Sequence, residues 1–123
     1  MTPFSRADRV SGLIQEVLSN LLKKDIHDPR LQMATITNVK MSRDLKLARI
    51  YFSIYGGRGK AEAAAEGFES ARGFIKRSLA RKLGLRYMPD LKFFYDDSFD
   101  YGYHIDELLK RILTENERDN QSD

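Results

Sequence analysis

Residues 61–95 constrain the fold more than any other part of the sequence. A helix-forming run rich in Ala and Glu leads from Ala61 into Ser70-Ala71-Arg72-Gly73. A strongly basic helical run follows from Phe74 to about Leu83, Gly84 stops it, and Pro89 opens an aromatic strand. A glycine inside a helix costs about 1 kcal/mol relative to alanine. Gly73 therefore marks either a bend or a place where something outside the chain approaches the backbone. The expectation is a helix–kink–helix with Ala71, Arg72 and Gly73 at the kink. Between Arg72 and Lys92 stand seven basic residues and one acid, Asp90. That density of positive charge points to a polyanionic partner.

The remaining elements follow from spacing and capping. Ser5 with Asp8 three residues on forms a capping box. Val10, Leu13, Ile14, Val17, Leu18, Leu21 and Leu22 then recur at helical spacing, so the first helix faces a core. Asp28-Pro29-Arg30 reads as a turn, because proline restrains itself and its predecessor. Met33–Met41 and Leu45–Tyr55 read as two strands joined through Ser42-Arg43-Asp44. Ala48, Ile50, Phe52 and Ile54 form the inward face of an antiparallel hairpin. Residues 56–60 form a loop, and Pro89–Tyr95 a third strand with Leu91, Phe93 and Tyr95 on one side. In the basic run, Ile75, Leu79 and Leu83 point inward while Arg77 and Arg81 face solvent. Ile105, Leu108, Leu109, Ile112 and Leu113 give a short amphipathic helix. This order makes an α+β domain, a three-stranded sheet covered on one face by helices. One domain spans 1–113, and residues 114–123 form a polar, disordered tail.

Composition narrows the function classes. The chain has 123 residues and no cysteine, which removes disulfides and thiolate metal sites. No apolar run reaches the ~20 residues of a membrane helix, and Met1–Arg6 lacks the apolar core of a signal peptide. A cytoplasmic monomer without membrane contact is the expectation. The C-terminal stretch after Lys92 is acidic, with nine acids against three bases. A basic body with an acidic end fits a nucleic-acid binder.

No catalytic constellation emerges. Gly59-Lys60 resembles part of a phosphate-binding loop, but Ile54 stands where that loop needs glycine and Ala61 where it needs Ser or Thr. His104 near Asp100 and Asp106 falls short of the three or four converging ligands of a metal site. Asp96 and Asp97 read as turn residues, and no serine has a histidine partner. The chain is read as a non-enzyme with no metal, no cofactor and no small-molecule substrate.

KH domains grip a nucleic-acid backbone at a GxxG loop between two helices; between the two helical runs here stands Ala71-Arg72-Gly73 instead. Further marks are Ser5-Arg6 with Arg9-Val10, Asp28-Pro29-Arg30, Ser42-Arg43-Asp44-Leu45 with Ala48 and Tyr51, and Ala71-Arg72-Gly73-Phe74-Ile75. Leu85-Arg86 follows, with Pro89, Leu91, Phe93, Asp96, Ser98, Gly102 and Ile105. In this order they resemble the ribosome-binding factor A family, bacterial small-subunit assembly factors. The resemblance implies a type II KH-like fold in which an Ala-x-Gly segment replaces GxxG. It also implies binding to free 30S subunits, assistance to late maturation and to processing of 16S rRNA near its 5′-terminal helix, and support of growth in the cold.

Charge clustering nominates the RNA-binding residues: Arg72, Lys76, Arg77, Arg81, Lys82 and Arg86, with Arg6, Arg9, Arg43 and Lys46 as secondary candidates. Two other readings are a stand-alone KH-type regulator of single-stranded RNA and a protein-interaction module. The latter would dock through Phe93, Phe94 and Tyr95, residues that the core also explains.

Overall fold

The computed structural model describes residues 5–98 and 108–114. The first helix, α1 (Arg6–Lys24), opens on the expected cap: the Ser5 hydroxyl accepts from the Asp8 N–H at 3.2 Å, and the Asp8 carboxylate accepts from the Ser5 N–H at 3.1 Å. Such a cap contributes about 1 kcal/mol. Val10, Ile14, Leu18 and Leu21 are buried, whereas Leu13 lies on the outer shoulder and is exposed. Ser11 ties α1 to the sheet, accepting from the Met41 N–H at 3.0 Å.

A 3-10 turn, Pro29–Leu31, follows. Asp28 caps it by accepting from the Arg30 N–H, and the Arg30 side chain grips the same carboxylate at 2.7 and 3.0 Å. The turn presents Leu31 to the core.

The sheet runs in the order β1 (Ala34–Met41), β2 (Leu47–Ile54), β3 (Asp90–Tyr95). β1 and β2 are the expected antiparallel hairpin, and β3 lies parallel to β2. Parallel neighbours need a long crossover, which the second helix supplies. The β1–β2 register slips between Ile36 and Asn38, leaving Thr37 as an extra residue. Such a bulge shifts the side-chain phase, so Ile36 and Val39, three apart, are both buried. The hairpin turn is held by Ser42 and Asp44, at 2.6 Å, and it places Leu45 at φ 60. A left-handed leucine costs on the order of 1–3 kcal/mol.

α2 (Arg58–Leu83) corrects the expected start of this helix. It begins three residues before Ala61, absorbing Arg58, Gly59 and Lys60 from the expected loop. It runs through Ala71, Arg72 and Gly73 as one helical element, so the two helical runs expected on either side of that segment are joined with no loop between them. The reason is phase. Ala64, Phe68, Ile75 and Leu79 are all buried on one stripe that crosses Gly73 in register. Their burial outweighs the cost of one exposed glycine. Gly84, at φ 60, ends α2 and returns its N–H to the Ala80 carbonyl at 3.0 Å.

Both helices pack on one face of the sheet, as the α+β, KH-like expectation required. Phe52, Phe68, Ile50 and Leu91 are among the fully buried side chains at the centre of that layer. A glycine that sequence reasoning overlooked matters here. A Cβ on Gly67 would lie 3.1 Å from two Leu31 side-chain atoms, so α2 passes the 3-10 turn closely enough that Leu31 would have to give way to any side chain there. Residues 108–114 are helical and exposed. The expected polar tail beyond Thr114 lies outside the described residues.

Candidate nucleic-acid interface

The ten basic candidates do not share one face. Arg72 and Lys76 lie on the flank of α2 that meets β3. The Arg72 guanidinium donates to the Leu91 carbonyl and lies 3.7 Å from Asp90 and 3.8 Å from Glu69. Its Nε is buried with no hydrogen-bond partner. The Lys76 ammonium is 3.2 Å from the same Asp90 carboxylate. Both cations thus brace α2 against β3, which reduces the charge they offer to a partner.

Arg77 and Arg81 face solvent on the opposite side of α2, as expected, and Lys82 is exposed near its end. Arg77 leans back along the helix: a Cβ on Gly73 would lie 3.2 Å from its guanidinium. No ion pair engages Arg77, Arg81 or Lys82 among the described residues. The backbone at Ala71–Gly73 is helical, so the free N–H groups of a GxxG-type loop are not presented there. What Gly73 offers is a bare patch of helix beside an arginine.

A second cluster joins Arg86 to two of the secondary candidates. Arg6 at the start of α1, Lys46 before β2 and Arg86 after α2 line a groove of about 480 Å³. Val10, Leu45, Leu85 and Met88 supply its apolar wall. Arg86 lies over the ring of Tyr87, 5.5 Å from its centroid, and Tyr87 is 77% exposed. An exposed aromatic beside cations suits base stacking with phosphate contact. Sequence reasoning passed over Tyr87; its place between Arg86 and Pro89 was the available signal. Arg9 and Arg43 are exposed but stand outside the groove lining, Arg43 in the hairpin turn.

Of the aromatic edge considered for protein docking, Phe93 and Tyr95 pack against the core. Phe93 stacks on Phe68 at 5.0 Å, and Tyr95 lies 5.9 Å from Phe52. Among the described residues no group of three His, Asp or Glu side chains could hold a metal ion. Asp100, His104 and Asp106 lie outside those residues. No helix of the described residues is long and apolar enough to cross a membrane.

Among the described residues, four carboxyls sit below their ordinary pKa of 3.8: Asp28 through Arg30, Asp44 through Ser42, Asp90 through Lys76, and Asp96 through Ser98 and then Thr37. A depressed folded-state pKa adds stability that is full above the unfolded value and disappears as pH falls through the folded one. Urea midpoints are therefore expected to stay level from pH 7 to 5 and to drop below about pH 4. Asp90→Asn should remove part of that drop; an identical acid limb in the variant would discard Asp90 as a contributor.

The model of the ribosome-binding factor A family matches residues 6–109. A ribosome-binding factor A from Desulfatibacillum aliphaticivorans is 55% identical over 112 residues, 91% of each chain. The crystal structure of ribosome-binding factor A from Thermus thermophilus superposes with a TM-score of 0.66 at 22% identity, covering 72% of this chain and 93% of that one. A homology model of the Thermus thermophilus factor, fitted into a cryo-EM map of its complex with the 30S subunit, gives 0.63 at 22% identity. It covers 76% of this chain and 97% of its own. At these identities the two structures speak for the fold.

Proposed function

The chain belongs to the ribosome-binding factor A family, and on that premise we propose that it binds free 30S subunits through 16S rRNA and assists their late maturation. The proposal extends to processing of the rRNA near its 5′-terminal helix, to growth in the cold, and to a cytoplasmic monomer working by binding energy alone. The observation that carries it is the pair of solvent-facing cations Arg77 and Arg81, in no ion pair among the described residues, on a helix beside bare Gly73. Support comes from the groove where Arg6, Lys46 and Arg86 converge. Phosphates are the natural counterpart of such charges.

Affinity must be moderate, because an assembly factor has to leave the finished particle. The test is sedimentation of the chain with purified 30S particles across a potassium chloride series. Arg77→Glu with Arg81→Glu should weaken binding roughly tenfold and flatten the salt slope by about 0.7–0.9 for each phosphate no longer neutralised. Unchanged co-sedimentation would take the outer ridge of α2 out of the interface.

A further inference from the structure

The face of the sheet turned away from the helices carries a charge pattern that the fold does not explain. Lys40 on β1 pairs with Arg49 on β2, and Arg49 pairs with Lys92 on β3. Three cations thus stand side by side across all three strands, and all three are exposed. Directly paired residues hold their Cβ atoms about 5 Å apart, and like charges so placed destabilise a sheet. The strands contain one acid, Asp90, and its carboxylate is engaged by Lys76 and Arg72 of α2. No ion pair relieves the row among the described residues. The next row holds Asn38, Tyr51 and Phe94. There the rings of Tyr51 and Phe94 stack at 5.6 Å, and Phe94 is 40% exposed.

We propose that this open face is a second RNA-contacting surface, taking a single-stranded segment whose phosphates meet Lys40, Arg49 and Lys92 while a base stacks on Phe94 and Tyr51. The inference rests on the ribosomal reading for its partner and names the form of RNA that this face accepts. Charge selects a polyanion. The aromatic pair one row away separates single-stranded RNA from duplex, whose bases are already stacked. The row is a standing repulsion in the free protein, and phosphates on it would remove that repulsion.

Fluorescence anisotropy of the full chain with labelled ten-nucleotide U and A single strands, and with a ten-base-pair RNA duplex, tests the proposal. The single strands should bind more tightly than the duplex. A variant carrying Lys40→Gln, Arg49→Gln and Lys92→Gln should bind single strands about tenfold more weakly, with the salt slope falling by about 2, at roughly 0.7 per phosphate. Phe94→Leu should weaken binding with little change in salt slope. The triple variant should melt no lower than the parent, since the row repels itself. A lower melting temperature with unchanged RNA affinity would assign the row to the fold and overturn the proposal. So would equal binding of duplex and single strand, or binding of phosphatidylglycerol vesicles in preference to both RNAs. The two readings fail separately. A parent chain that does not sediment with 30S particles overturns the ribosomal reading, and the oligonucleotide series is scored without it.

Discussion

Phe68→Ala is expected to lower the unfolding free energy by about 3–5 kcal/mol, the range for truncating a buried phenylalanine. Phe68 is fully buried on α2. Its ring lies 4.8 Å from Phe52 on β2 and 5.0 Å from Phe93 on β3, so one side chain joins the helix to both strands of the parallel pair. Each aromatic contact adds about 0.5–1.5 kcal/mol beyond the area it buries. Domains of this size are stable by about 5–15 kcal/mol in all, so the substitution takes a large share. Urea unfolding followed by circular dichroism should show the midpoint falling at unchanged slope. Phe94→Ala provides the contrast. That ring is on the same strand as Phe93 but half in solvent, and its removal should cost well under half as much. Equal destabilisation at the two positions would mean that the helix–sheet layer is not where the stability resides.

The contrast between an inward Phe93, stacked on Phe68, and an outward Phe94 was legible in the sequence, because alternation along Pro89–Tyr95 sets neighbouring rings on opposite faces. So was the Ser5–Asp8 cap, whose partners lie within one turn of each other. Local chemistry and a clean period are enough in such places. Three other features depend on long-range pairing. The bulge at Thr37 exists only because β1 must keep Ile36 and Val39 on one face against β2. Arg72 and Lys76 look available in a count of charges; their partner, Asp90, comes to them only once β3 lies alongside α2. Lys40, Arg49 and Lys92 are scattered in sequence, and strand register alone makes them neighbours. That α2 carries on through Gly73 as one helical element is not legible from composition. The apolar stripe through Phe68, Ile75 and Leu79 keeps one phase across that glycine, and phase decides the outcome.

The two glycines of mid-α2 should respond in opposite directions to larger side chains. Gly67 is buried, and even a methyl group there would meet Leu31 at 3.1 Å and Arg30 at 3.4 Å. Gly67→Leu is therefore expected to cost a net of up to ~2 kcal/mol, the overpacking penalty of about 1–3 kcal/mol less a helix-propensity gain of about 1 kcal/mol. The damage should fall where α2 crosses the Pro29–Leu31 turn, and amide exchange near Leu31 should accelerate. Gly73 is exposed, and a methyl group there would meet only the end of the Arg77 side chain, at 3.2 Å, which can swing away. Gly73→Ala should accordingly stabilise the chain by about 1 kcal/mol. Close approach of another backbone is one use of an exposed helical glycine. If the rRNA backbone makes that approach beside Arg77, Gly73→Ala should bind 30S particles more weakly while melting higher. A variant that gained stability and bound 30S as well as the parent would leave Arg77 and Arg81 to hold the rRNA without the glycine.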